Sequence, residues 1–275
     1  MKILFSKKPI GVEEAWGGGN VLLGRLIDYL RKDGHEVVFS PEDGIDLLYV
    51  LDPRAAGNLF NFAKNASIPI VQRVGDLGTH SKPELRALLE ACLPQVDLAI
   101  FPSRWAWDSI SRFCHSTEII PNTADDNFFN KKLSVVTHHW SDNKLKGAYI
   151  YENLQQDLEE LQIEFTFIGR PCFEVKPPTK HIPPVSKEEL AKLLPSFDFY
   201  LTASKMEAGA NHVLEAMACG LPIIYHRGGG SIPEQVYKRG ISYSSYQELK
   251  DILSPFPTID QVCEKYCEAF HKVIQ

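Results

Sequence analysis

The chain has 275 residues, 44% hydrophobic and 23% charged, an ordinary make-up for a soluble globular protein and length enough for two domains of roughly 100–150 residues. The formal net charge of −6 divides into 15 Lys+Arg against 17 Asp+Glu (−2) over residues 1–132 and 14 against 18 (−4) over the remainder. Neither half is basic, which argues against a nucleic-acid partner, and no apolar run reaches the roughly 18–20 residues that cross a bilayer.

Strand and helix signals alternate along the chain, which predicts parallel sheets covered on both faces. A strand at 2–5 leads to a loop ending in Gly17-Gly18-Gly19-Asn20. A helix follows over about 20–32, with Leu22, Leu26 and Leu30 on one face and Gly34 as its stop. Strands are then expected at 37–39, 47–51, 69–72, 97–101 and 118–120, and helices at 54–65, 83–93 and 103–114. Pro121-Asn122-Thr123 breaks the rhythm, and the polar stretch 125–132 reads as a linker. Beyond it strands fit 133–137, 164–168, 197–202 and 221–225. Helices fit 147–161, 187–194, 211–219, 231–238, 245–253 and, after Pro255 and Pro257, 258–273.

This rhythm divides the chain into 1–132 and 133–257, two Rossmann-like α/β domains, with the C-terminal helix 258–275 free to pack back on the first. Two such units imply a cleft, and ligands of these sheets sit beyond the carboxyl ends of the strands. The six cysteines form no C-x-x-C pair. Cys263 and Cys267 lie four apart on one face of the last helix, and all six read as reduced packing residues. The N-terminus opens directly on a strand without a signal peptide's apolar core, so the expected compartment is the cytoplasm.

The segment richest in chemistry is Glu207–Gly220, EAGANHVLEAMACG. A strand ends just before it, and Gly209-Ala210-Asn211 leads into a helix. The amides of residues 210–212 are expected to be orphan donors suited to an anion or a sugar hydroxyl. Glu207 precedes the helix and Glu215 lies one turn inside, so both carboxylates can face one ligand and accept from a diol. Two glutamates eight apart are by themselves more often solvated helix residues. Their context differs: Ala-Met-Ala-Cys-Gly-Leu-Pro-Ile-Ile follows, and then Gly228-Gly229-Gly230-Ser231-Ile232-Pro233-Glu234.

That whole run resembles the donor site of GT-B retaining glycosyltransferases, specifically glycosyltransferase family 4. Weaker resemblance extends over Gly17-Gly18-Gly19-Asn20, Gly34-His35-Glu36-Val37, Pro102-Ser103, Ile120-Pro121-Asn122 and Lys146-Gly147. The resemblance implies a GT-B fold, with two Rossmann-like parallel sheets facing each other across a cleft. It implies transfer of a sugar from a UDP- or GDP-linked donor to a carbohydrate or lipid acceptor hydroxyl, with retention and without a metal. Glu207 matches the glutamate on the donor sugar and Glu215 the one on the nucleotide ribose. Gly209, Ala210 and Asn211 match the turn near sugar and phosphate, Lys146 the diphosphate lysine, and Gly18 and Gly19 the loop that closes over the phosphates.

No Asp-x-Asp and no carboxylate/His metal cluster is visible, so neither metal nor cofactor is expected. Leaving-group charge then falls to Lys146, the helix dipole and the glycine loops. Two departures from the family pattern stand out. The usual arginine before the lysine is missing, and Ser141 sits at its offset. Lys144, His138, His139 or Arg170 can supply the missing donor, although the two histidines fit equally as satisfied residues at a strand end. The second departure follows the strand 70–72, where the chain reads Arg73-Val74-Gly75-Asp76-Leu77 with His80 beyond. Asp76 is either a catalytic base for the acceptor or a loop cap, with Arg73 as an available structural partner. A non-catalytic nucleotide- or sugar-binding protein of the same fold is the alternative. Trp105, Trp107 and Phe113, interleaved with Arg104 and Arg112, read as packing in preference to a peripheral membrane contact.

Overall fold

The computed structural model describes residues 1–9, 18–79, 82–124 and 131–275. The chain divides into two compact units, Met1–Phe129 with Pro257–Gln275, and Asn130–Phe256. Both carry the expected α/β build with a parallel sheet of six strands.

In the first unit the strands are β1 (Lys2–Phe5), β2 (Glu36–Val38), β3 (Leu47–Val50), β4 (Ile70–Arg73), β5 (Leu98–Phe101) and β6 (Thr117–Ile119). The helices are α1 (Gly18–Lys32), α2 (Leu59–Asn65), α3 (Pro83–Cys92) and α4 (Arg104–Ile110). The sheet order is β2-β1-β3-β4-β5-β6. The central strands are buried on both faces because both faces are covered, and, Lys2 at the start of β1 aside, all but the Gln72-Arg73 end of β4 is apolar. Ile3, Phe5, Leu47 and Tyr49 pack with Leu22, Leu26 and Leu30 of α1. Leu4, Leu48, Val50 and Phe101 pack with Phe60, Leu85, Leu89 and Ile110 on the other side. The chain's last helix returns to this unit, and its Val262, Tyr266 and Phe270 join the α1 face.

The second unit holds β7 (Leu133–His139), β8 (Ile163–Gly169), β9 (Lys180–Ile182), β10 (Phe199–Thr202), β11 (Ile223–His226) and β12 (Gly240–Tyr243). Its helices are α5 (Ala148–Asp157), α6 (Lys187–Leu193), α7 (Asn211–Ala218), α8 (Ile232–Val236) and α9 (Tyr246–Leu253), and α10 (Ile259–Ile274) follows in the first unit. The order β12-β11-β10-β7-β8-β9 is that of a doubly wound dinucleotide-binding sheet. The chain moves outward from β7 to β9, then crosses back and builds outward again from β10. A crevice therefore opens beyond the carboxyl ends of β7 and β10, where the connections diverge.

Several local expectations shift. The span 54–65 splits into a 3-10 turn at Pro53–Ala55 and α2, because Gly57 adopts a left-handed φ of +43° between them. Gly18 and Gly19 form the first turn of α1 instead of a loop before it. The expected linker lies mostly, and Gly17 and His80 lie wholly, outside the described residues.

Candidate functional site

The carboxyl end of β7 is unusual for a strand buried on both faces: Thr137, His138 and His139 are all buried. Buried polar groups need partners, and here the neighbouring elements supply them. The hydroxyl of Tyr151 on α5 lies 3.1 Å from both Thr137 Oγ1 and His139 Nε2, and it accepts from the Ala203 amide at 3.1 Å. The Tyr200 hydroxyl of β10 bridges the His138 main chain, accepting from its N–H and donating to its C=O at 3.2 Å each. His212, in the first turn of α7, shares a hydrogen bond with Thr202 Oγ1 at 3.0 Å.

Burial strips water from these imidazoles and disfavours their charged forms. It holds His139 well below the usual histidine range, with His212 and Lys146 adding repulsion. It brings His212 down to about 3, helped by His138 and Lys146. His138 is also lowered by burial, while Glu215 pulls it back up. All three are neutral at neutral pH. Neither ring carries the standing charge of the missing arginine, and Nε2 of each already faces a protein partner.

The role of His138 lies elsewhere. Its side chain is fully buried, and its Nε2 lies 2.9 Å from Glu215 Oε2. Donation from Nε2–H to the carboxylate leaves Nδ1 as a bare lone pair, and Nδ1 has no partner among the described residues. His138 thus orients Glu215, whose side chain is 35% exposed at the mouth of the crevice.

The second carboxylate is held in a different way. After β10, Met206 takes a left-handed φ of +58° and the chain makes a single parallel bridge between Glu207 and Gly230. The Ser231 amide donates to Glu207 O at 2.8 Å, and the Glu207 amide donates to Gly229 O at 3.3 Å. Gly230 has φ +69°, and a Cβ there would meet Glu207 O at 2.3 Å and Glu207 N at 2.6 Å. Only glycine fits against this backbone. The Glu207 carboxylate then meets Lys146 Nζ at 2.5 Å, with side chains 15% and 23% exposed respectively. Lys146 ends a 3-10 turn, Lys144–Lys146, which Asn143 caps by accepting from the Leu145 amide. Gly147 follows at φ +105° and packs so tightly on Ala203 that a Cβ would fall 2.2 Å from the alanine methyl.

Other candidates fall as follows. Gly209, Ala210 and Asn211 form the entry to α7, as expected, but the Ala210 amide donates to Gln235 Oε1 at 3.2 Å and is not an orphan. Lys144 is exposed. Arg170 is exposed, and its guanidinium donates to Trp140 O at 3.1 Å.

In the first unit, Gly19 and Asp76 line a cavity of about 510 Å³ at the carboxyl ends of β1, β3 and β4, together with Asn20, Arg54 and Arg73. Asp76 accepts from the Gly78 amide at 2.9 Å and from Lys82 Nζ at 2.9 Å. These two hold its carboxyl below the usual range, so it has the geometry of a loop cap and is a weak base. Arg73 is not its partner: the guanidinium donates to the Tyr266 hydroxyl at 3.1 Å and to Asn122 Oδ1 at 2.7 Å.

The sequence reading misses the supporting residues Tyr151, Tyr200 and Gln235. Their only signal is an aromatic or amide inside an otherwise apolar helix or strand. No helix of the described residues is long and apolar enough to cross a membrane.

Residues 173–251 match the model of the family described as Glycosyl transferases group 1. The matched segment contains Glu207, Glu215 and Gly230, while His138 and Lys146 lie before it. Among solved structures, Anabaena Alr3699/HepE in complex with UDP is similar at 17% identity and TM-score 0.35, over 100% of this chain and 98% of that one. Sucrose-phosphate synthase from Thermosynechococcus elongatus is similar at 13% identity and TM-score 0.36, over 100% and 96%. WaaG, a glycosyltransferase involved in lipopolysaccharide biosynthesis, is similar at 12% identity and TM-score 0.38, over 100% and 97%. No curated protein matches.

Proposed function

We propose that the protein is a glycosyltransferase that moves a sugar from a nucleotide-sugar to an acceptor hydroxyl, with retention of anomeric configuration and without a metal. The observation that carries this reading is the pairing of Lys146 with Glu207 beside the α7 entry, at the switch point of a doubly wound sheet. In this reading Lys146 and the amino end of α7 take the diphosphate, and their positive charge stabilises the leaving group as the glycosidic bond breaks. An ammonium has three donors, so Lys146 can hold Glu207 and a phosphate oxygen together. Glu207 accepts from hydroxyls of the donor sugar. Glu215, oriented by His138, accepts from the ribose diol with the capacity its carboxylate retains.

The test has two parts. UDP or GDP at about 100 times its dissociation constant raises unfolding stability by roughly 2.7 kcal/mol, read as a rise in melting temperature. Glu207→Ala abolishes transfer from nucleotide-sugars while its circular dichroism stays that of the parent. A chain that no nucleoside diphosphate stabilises at millimolar concentration overturns the proposal. Tight binding without any turnover identifies the non-catalytic binder instead. Added Mg²⁺ or Mn²⁺ leaves the rate unchanged, and the anomeric proton of the product reports the configuration by NMR.

A further inference from the structure

On the first unit, α1 ends in a tight turn. The His35 amide donates to Leu30 O at 2.9 Å and the Gly34 amide to Arg31 O at 3.2 Å, with Gly34 left-handed at φ +82°. This double bond pattern closes the helix and fixes the backbone of Asp33 and His35. Facing them is α10, on which Cys267 and His271 lie four apart on one side of the helix. The ligand atoms of His35, Cys267 and His271 all lie within 4.8 Å of one another. His35 Nε2 is 3.4 Å from Cys267 Sγ and 3.1 Å from Asp33 Oδ2, and Cys267 Sγ is 3.7 Å from Asp33 Oδ2.

We propose that His35, Cys267 and His271 form a three-ligand site for a divalent transition metal, zinc by ligand chemistry, with solvent as the fourth ligand and the Asp33 carboxylate beside it. Zinc bonds of about 2.0–2.1 Å to nitrogen, 2.3 Å to sulfur and 2.0–2.2 Å to oxygen place tetrahedral ligand atoms about 3.3–3.6 Å apart. The 3.4 Å between His35 Nε2 and Cys267 Sγ falls within that range before any ion is bound, and His271 lies within 4.8 Å of both. One thiolate and two imidazoles form a set that suits zinc over magnesium or calcium. Binding releases two protons to solvent: the Cys267 thiol loses one, and the His35 Nε2 proton shifts to Nδ1 as the Met1 ammonium facing it gives one up, while the thiolate and the neighbouring Asp33 carboxylate balance the ion's two charges.

The rival reading of the same residues is a Cys–His–Asp nucleophile, and the geometry opposes it. A relay needs the carboxylate on the imidazole nitrogen remote from sulfur. Here sulfur and carboxylate both approach Nε2, while Nδ1 lies 3.1 Å from the Met1 nitrogen.

The full chain, stripped by a chelator under reducing conditions, is titrated with Co²⁺ as a spectroscopic probe and then with Zn²⁺. The expected result is one Co²⁺ per chain, with a thiolate-to-cobalt charge-transfer band and the intense visible bands of a tetrahedral site, both abolished by Zn²⁺. Cys267→Ser removes the charge-transfer band. His271→Gln, at an exposed position that spares the fold, weakens binding by at least about tenfold. The other five thiols remain in Cys267→Ser, so a band that persists there overturns the proposal. So does a parent chain without a thiolate band at saturating Co²⁺, or unchanged affinity in His271→Gln. None of these ligands belongs to the sugar site, and Glu207→Ala binds Co²⁺ like the parent. The two readings therefore fail separately.

Discussion

Gly230→Ala tests how Glu207 is held. Two costs add. The residue sits at φ +69°, where a side chain costs roughly 1–2 kcal/mol. Its new methyl would meet Glu207 O at 2.3 Å and N at 2.6 Å, where ordinary contact begins at 3.4 Å, so the Glu207 backbone must retreat by about 1 Å. That movement breaks or stretches the hydrogen bonds from the Ser231 amide to Glu207 O and from the Glu207 amide to Gly229 O, each worth about 0.5–1.5 kcal/mol. The sum is about 3 kcal/mol of stability. A 1 Å displacement of a group that orients substrate costs about 100-fold in rate. Gly209→Ala is the control, since a Cβ there meets nothing within 4 Å and its stability stays within about 0.5 kcal/mol of the parent. The assay is urea unfolding followed by circular dichroism, paired with initial rates of donor turnover. If the two alanine variants unfold at the same urea concentration, the Glu207–Gly230 packing does not carry the weight assigned to it.

Tyr151→Phe removes a hydroxyl that serves three buried groups. Thr137 and His139 lie 3.4 Å apart and can re-pair, whereas the Ala203 amide is left without an acceptor, so a loss of about 1–3 kcal/mol is expected in urea unfolding. A loss below about 0.5 kcal/mol refutes the network. Stability is also expected to fall with pH below the ordinary histidine value. Folded His212 titrates only near 3, so from pH 6.5 downward the unfolded chain binds a proton that the folded chain does not. By pH 5 this amounts to about 2 kcal/mol, and the buried His139 acts in the same direction. Melting curves between pH 7 and 5 read the slope, and His212→Gln flattens it. A flat parent profile in that window contradicts the neutral, buried state of these rings.

The alternation of apolar runs with helical periodicity carries the fold, because a strand covered on both faces has no other way to read. Two elements escape that logic. Lys180–Ile182 and Gly240–Tyr243 are the edge strands of the second sheet, short and half-wet, so their sequences resemble loops. At the site, Glu207, Glu215 and Lys146 are legible through motif and resemblance. Their partners are not, since His138 meets Glu215 across 77 positions and Lys146 meets Glu207 across 61. Spacing along a chain is silent about contacts that only the crossover between β7 and β10 creates. The same holds for Asp33 and His35, more than 230 positions from Cys267. Asp33 and His35, two apart, and Cys267 and His271, four apart, look unremarkable until the last helix is laid against the first.

That last helix also sets an order of assembly. Residues 130–256 form a unit with both of its cores drawn from its own contiguous sequence. The preceding unit lacks Val262, Tyr266 and Phe270 until the final segment is made, and until then the apolar stripe of α1 stays wet. During synthesis the portion translated second can therefore consolidate before the portion translated first. A ribosome stalled near residue 256 would hold a sticky, half-roofed N-terminal sheet that invites chaperones.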